Sequence, residues 1–106
     1  MKIDLYYKNF HLGYFFSLEN EIFYCSDKEG EKQFFENSIN SNFYTLKNSS
    51  KTKIEKLPLF LDEFDSCLKN TFLTQQAGIK ESDNYFTKLF LLAKLDFDRT
   101  HFFLKS

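Results

Sequence analysis

Few side chains in this sequence could do covalent or acid–base chemistry. His11 and His101 are its only imidazoles, and Cys25 and Cys67 its only thiols. A Cys–His centre works when the imidazole takes the thiol proton and a third group orients the ring. Each histidine here sits beside apolar residues in a strand-like stretch, FHLGYFF and HFFL. A hydrogen-bonded structural imidazole is therefore the expected role for both. The cysteines are far apart without metal-type spacing, which reads as two reduced, buried thiols. Asp62, Glu63 and Asp65 cluster in the stretch LDEFD. Asp62 and Asp65 share a helix face near its start, where the helix dipole stabilises negative charge. A general acid/base pair would need a pocket that a chain of 106 residues has little room to form. Gly13, Gly30 and Gly78 are too scattered to cradle a phosphate. The expectation is no catalytic, cofactor-binding or metal-binding residues, and no enzyme.

The elements that must position these groups are organised around Lys56 to Leu95. Pro58 sits at a helix start, where its missing N–H costs nothing. Leu57, Phe60, Leu61, Phe64, Leu68 and Phe72 recur at steps of three and four, the spacing of one helix face. Gly78 should end that helix in the left-handed conformation, with Ile79 folding back on Leu73. Ser82 or Asp83 should cap a second helix, whose apolar stripe is Phe86, Leu89, Phe90 and Ala93.

The rest of the chain reads as a sheet. Ile3, Leu5 and Tyr7 alternate with polar neighbours, and Phe10, Leu12, Tyr14 and Phe16 alternate again. Lys8-Asn9 and Glu19-Asn20 are the turns, and Glu21 to Cys25 is a third strand. Gly13 inside the second strand signals a bulge or a close backbone approach. Asp27 could cap a short helix holding Phe34, Phe35 and Ile39. Phe43 to Leu46 is a candidate fourth strand, 48–53 a solvated loop, 96–100 a turn, and His101 to Leu104 a last strand. The expected fold is α+β: a small antiparallel sheet, starting as a meander, packed against a helix pair in one domain spanning 1–106.

Composition narrows the function classes. The 14 basic and 15 acidic side chains leave a net charge of −1, with no electrostatic push toward nucleic acid or anionic lipid. The lysines around 47–56 have no aromatic residue interleaved with them in sequence, unlike single-strand binders. No stretch is apolar enough for a signal peptide or membrane helix, so a cytoplasmic protein is expected. With 15 Phe, 6 Tyr and no Trp, two readings stay open. The aromatics fill the core, or some are exposed and await a partner.

Several short motifs, taken in order, resemble the N-terminal subdomain of HipA-type serine/threonine kinases. They are Leu12-Gly13, Phe23-Tyr24, Leu57-Pro58, Phe60-Leu61-Asp62, Gly78-Ile79, Asp83, Leu91-Leu92 and Asp98-Arg99-Thr100. Departures fall at Phe64-Asp65-Ser66, where the family has Leu-Pro-Glu-Gly, and at His101-Phe102, where it has Gly-Ala. The kinase body is missing, which is similar to the free-standing HipS-type proteins of HipBST toxin–antitoxin systems. The resemblance implies an antitoxin that binds and neutralises a separate HipT-like kinase toxin, in a complex that could include a HipB-like DNA-binding protein. Direct contact with nucleic acid or membrane is not expected. The departing segment supplies the expected partner-binding residues: Phe60, Asp62, Glu63, Phe64, Asp65 and Ser66. The competing readings are an adaptor unrelated to kinases and a small His/Cys enzyme.

Overall fold

The computed structural model describes residues 1–96 and 101–106, apart from the side chains of Ile39 and Asn40. The turn expected at 96–100, and with it Asp98-Arg99-Thr100, falls on 97–100, outside the described residues. Strands β1 (Lys2–Tyr7), β2 (Phe10–Leu18) and β3 (Glu21–Ser26) form the expected meander. The β2–β3 turn has Glu19 and Asn20 at φ 53° and 67°, the left-handed pair that suits a two-residue hairpin. Helix α1 (Lys28–Asn37) follows, with Asp27 as its cap: one carboxylate oxygen accepts the Gly30 N–H at 3.1 Å. A 3₁₀ turn (Ile39–Phe43) leads to β4 (Thr52–Ile54), and a second (Leu59–Leu61) to α2 (Asp62–Cys67). Helices α3 (Thr71–Ala77) and α4 (Tyr85–Leu92) precede the returning strand β5 (Phe102–Lys105). The five strands lie in the order β4-β3-β2-β1-β5, and every neighbouring pair is antiparallel. The fold is α+β in a single domain, as the alternation and helix spacing implied.

One face of the sheet carries the core. Ile3, Leu5 and Tyr7 are buried there with Phe15 and Tyr24, and Phe34 of α1 and Phe86, Leu89 and Leu92 of α4 pack over them. The second strand does not alternate as expected. Its register slips between Leu5 and Tyr6, which face Gly13 and His11, so Leu12 is the extra residue of a bulge. A one-residue slip exchanges the faces. Leu12 and Phe15 are buried in the core, while Tyr14 and Phe16 turn to the opposite face. Gly13 is required at this step, since a Cβ there would lie 2.3 Å from the Tyr24 hydroxyl and 2.4 Å from the Cys25 carbonyl.

Three further expectations are corrected. The long helix from Pro58 to Gly78 is broken into a 3₁₀ turn and two short helices. Asn70 interrupts it by capping α3, its side-chain oxygen accepting the Leu73 N–H at 3.2 Å. The break rotates Phe72 out to solvent, where it is 71% exposed. Gly78 ends α3 at φ 74°, with Ile79 N–H on Thr74 O and Gly78 N–H on Gln75 O, the paired bonds of a Schellman cap. The cap of α4 is Asn84, which accepts the Thr87 N–H at 2.8 Å; Asp83 instead accepts the Lys80 N–H. The fourth strand is Thr52–Ile54, paired with β3, and not Phe43 to Leu46. Tyr44 is drawn into the core by a polar partner, described below, that strand alternation cannot signal.

Candidate functional site

A buried polar knot holds α1, β3 and the 44–49 segment in place. Glu31 is only 2% exposed. Its carboxylate accepts a short hydrogen bond from the Tyr44 hydroxyl and a longer one from the Asn48 N–H. A carboxylate only accepts, so the Tyr44 proton points to Glu31. Tyr24, 2.8 Å away, then donates to the Tyr44 oxygen. Burial, followed by the neighbouring Tyr44, drives the Tyr24 pKa far above the phenolic range; burial and then Glu31 raise that of Tyr44. Ser26 completes the knot by donating to Leu46 O and accepting the Ser49 N–H. The network is fully bonded and ties together the sheet face and helix edge described next.

The open face of the sheet is aromatic and lysine-bearing. Tyr14, Phe16 and Phe23 are half-buried against one another rather than against the core. Phe16 and Phe23 are register partners and stack at 5.6 Å and 24°; Tyr14 lies 5.8 Å from Phe16. Lys2 Nζ stands 5.4 Å from the Tyr14 ring centre and Lys51 Nζ 5.6 Å from that of Phe23, both cation–π distances. Lys53 lies opposite Phe23 in register and pairs with Glu21 at 2.9 Å. Lys105, opposite Asp4, adds a further ammonium to this face. The lysines of 47–56 have no aromatic neighbour in sequence, but the fold supplies one from another strand. β3–β4 pairing brings Lys51 over Phe23 and sets Lys53 opposite it in register, more than 20 positions later in the chain.

The partner-binding residues expected from the sequence separate into two groups. Phe60, Asp62, Glu63 and Phe64 line one depression of about 260 Å³, with Leu59 and Phe102. A second depression of about 300 Å³ adjoins it through Phe60, His101 and Phe102, and is lined also by Tyr7 and Phe43. Phe64 is a core residue, 6% exposed, whereas Leu59 is 87% and Phe43 63% exposed. Phe60 is held by Phe102 at 4.7 Å and Tyr44 at 5.8 Å. Asp65 belongs elsewhere: it accepts the Tyr85 hydroxyl at 2.9 Å beside an open groove of about 610 Å³ under α4. Burial, then that carboxylate, pushes the Tyr85 pKa up to about 12. Ser66 is exposed and lines neither depression. Sequence reasoning missed Leu59, Phe43 and Phe102; the Leu-Phe-Leu run after Pro58 was the available signal.

The histidines and cysteines are not brought together. His11 Nδ1 lies 2.7 Å from Asp27 and Nε2 2.9 Å from Asp4, so both ring nitrogens are engaged by carboxylates and neither faces a thiol. The His11 bond is the main cause holding the Asp27 carboxyl below its usual range. Burial, then Glu63, raises the Cys67 thiol, the opposite of what an activated nucleophile needs. His101 is exposed beside the aromatic depressions.

No family model matches this chain, and no solved structure matches it. Among curated proteins, the small ribosomal subunit protein eS1 of Guillardia theta is 38% identical over 85 residues. That alignment covers 74% of this chain and 38% of the relative's length, so the chain spans well under half of that protein. The match corrects the resemblance to HipA-type kinases and to HipS-type antitoxins. With it go the antitoxin function, the HipT-like kinase partner and the HipB-like complex, because the sequence similarity that is found leads to a ribosomal protein. The motifs behind the resemblance are single residues and runs of two or three, too short to outweigh an alignment over 85 residues.

Proposed function

We propose that this chain is a non-catalytic binding module that works in a ribosomal setting and contacts single-stranded RNA through the open face of its sheet. The observation that carries it is the Tyr14–Phe16–Phe23 cluster with Lys2 and Lys51 over its outer rings. Aromatic faces accept any base by stacking, and ammonium groups beside them meet the phosphates. The similarity to eS1 supports the setting, since a ribosomal subunit is a particle of protein and RNA. The overall charge of −1 does not oppose this reading. What a strand meets is the local field: Lys2, Lys51, Lys53 and Lys105 stand on that face, and the Asp4 and Glu21 carboxylates there are already engaged by Lys2, His11 and Lys53.

The test is fluorescence anisotropy with a labelled oligouridylate at low salt. Binding should weaken at least about tenfold in the Phe16→Ala, Phe23→Ala double variant, in line with the usual worth of a stacked base. An unchanged affinity in that variant, or no binding by the native chain, rejects the reading.

A further inference from the structure

The second aromatic surface calls for a different ligand. Leu59 and Phe43 stand exposed around two adjoining depressions, with half-buried Phe60 and Phe102 at their shared wall. Large exposed apolar side chains grouped in this way mark docking sites more often than chance exposure does. The rim decides the ligand. Asp62 and Glu63 are both exposed, neither forms an ion pair with a described residue, and among the described residues the one basic side chain lining the depressions is His101. Two exposed carboxylates beside aromatic rings, without an ion-pair partner among the described residues, repel phosphate and attract ammonium and guanidinium groups, which also favour the ring faces.

We propose that this edge binds a basic protein segment: an apolar anchor side chain seated between Leu59, Phe60 and Phe102, with lysine or arginine on either side meeting Asp62 and Glu63. The inference rests on the reading of the chain as a binding module but assigns a separate surface and a separate class of partner. The anchor site is preformed, because Phe60 is wedged between Phe102 and Tyr44 and the latter is locked to Glu31. Preformed pockets with few free rotamers lose less entropy on binding.

The experiment is NMR titration of the full chain with a synthetic peptide carrying a central Phe-Leu pair between Arg and Lys residues. The expected result is saturable shifts at Phe43, Leu59, Phe60 and Phe102. Affinity should fall about tenfold in Leu59→Glu, and again in the Asp62→Lys, Glu63→Lys double variant. All three positions are exposed, so the folded spectrum of each variant should be retained. A peptide of the same core with Glu in place of the basic residues should not bind. No shifts at this edge, or equal binding of the acidic peptide, would overturn the proposal. The titration contains no RNA, so its failure leaves the sheet-face reading standing, and the converse holds.

Discussion

The open sheet face and the helix edge are both aromatic, yet they differ in what surrounds the rings. On the sheet face, Phe16 stacks on Phe23 at 24° and meets Tyr14 at 40°, with lysines above the outer rings. At the edge, Phe60 meets Phe102 at 55° and Tyr44 at 81°, which leaves clefts between rings, and the charges nearby are Asp62 and Glu63. Cation-flanked rings suit bases and phosphates; acid-flanked rings suit a side chain with basic neighbours. A chain with near-zero net charge can thus present two surfaces of opposite preference, because binding depends on local charge.

The largest effect should come from removing what the two surfaces share. Tyr44→Phe leaves the Glu31 carboxylate buried without its hydroxyl donor and should cost about 3 kcal/mol of stability, read from urea unfolding. If it unfolds like the native chain, the knot is not the common support. Next in size, Phe16→Ala with Phe23→Ala should abolish most oligouridylate affinity while peptide binding persists. Loss of both activities would show that the surfaces are not independent. Leu59→Glu should do the reverse, weakening only the peptide and changing stability by less than about 0.5 kcal/mol, since the side chain is 87% exposed.

Smaller effects sharpen the contrast. Lys51→Ala should lower the slope of log affinity for oligouridylate against log salt by about one and leave peptide affinity as it was. The Asp27 carboxyl is held low first by its bond to His11. A depressed carboxyl contributes stability above its ordinary value of 3.8, and loses it as the pH falls through the lowered value. Acid unfolding of Asp27→Asn should therefore be flatter below about pH 4 than that of the native chain. The difference should be small, because Asp27 is partly exposed.

Much of the fold was legible in the sequence. Period-two alternation located β1 and β3, Asp27 marked the start of α1, and Gly78 required its left-handed cap. What alternation could not show was the bulge at Leu12, because a one-residue slip is invisible until the partner strand fixes the register. That slip moves Tyr14 and Phe16 to the open face, where the RNA contact is proposed. Tyr44 was equally hidden, since its burial depends on Glu31, a charged residue expected outside. The edge was half legible: Phe60, Asp62, Glu63 and Phe64 do meet in one depression, but Asp65 turns to Tyr85 and Ser66 to solvent. Asp62 to Ser66 are consecutive residues of α2, so their side chains point around the helix, and Asp65 and Ser66 face away from the depression without any break in the chain.

The central claim is that the aromatic sheet face, and not the edge, meets RNA. It is tested most directly by following the aromatic proton resonances during titration with oligouridylate at low salt. Shifts should concentrate on Tyr14, Phe16 and Phe23 and spare Phe43, Phe60 and Phe102. Shifts centred on the edge, or none on the sheet face at saturating RNA, would contradict it.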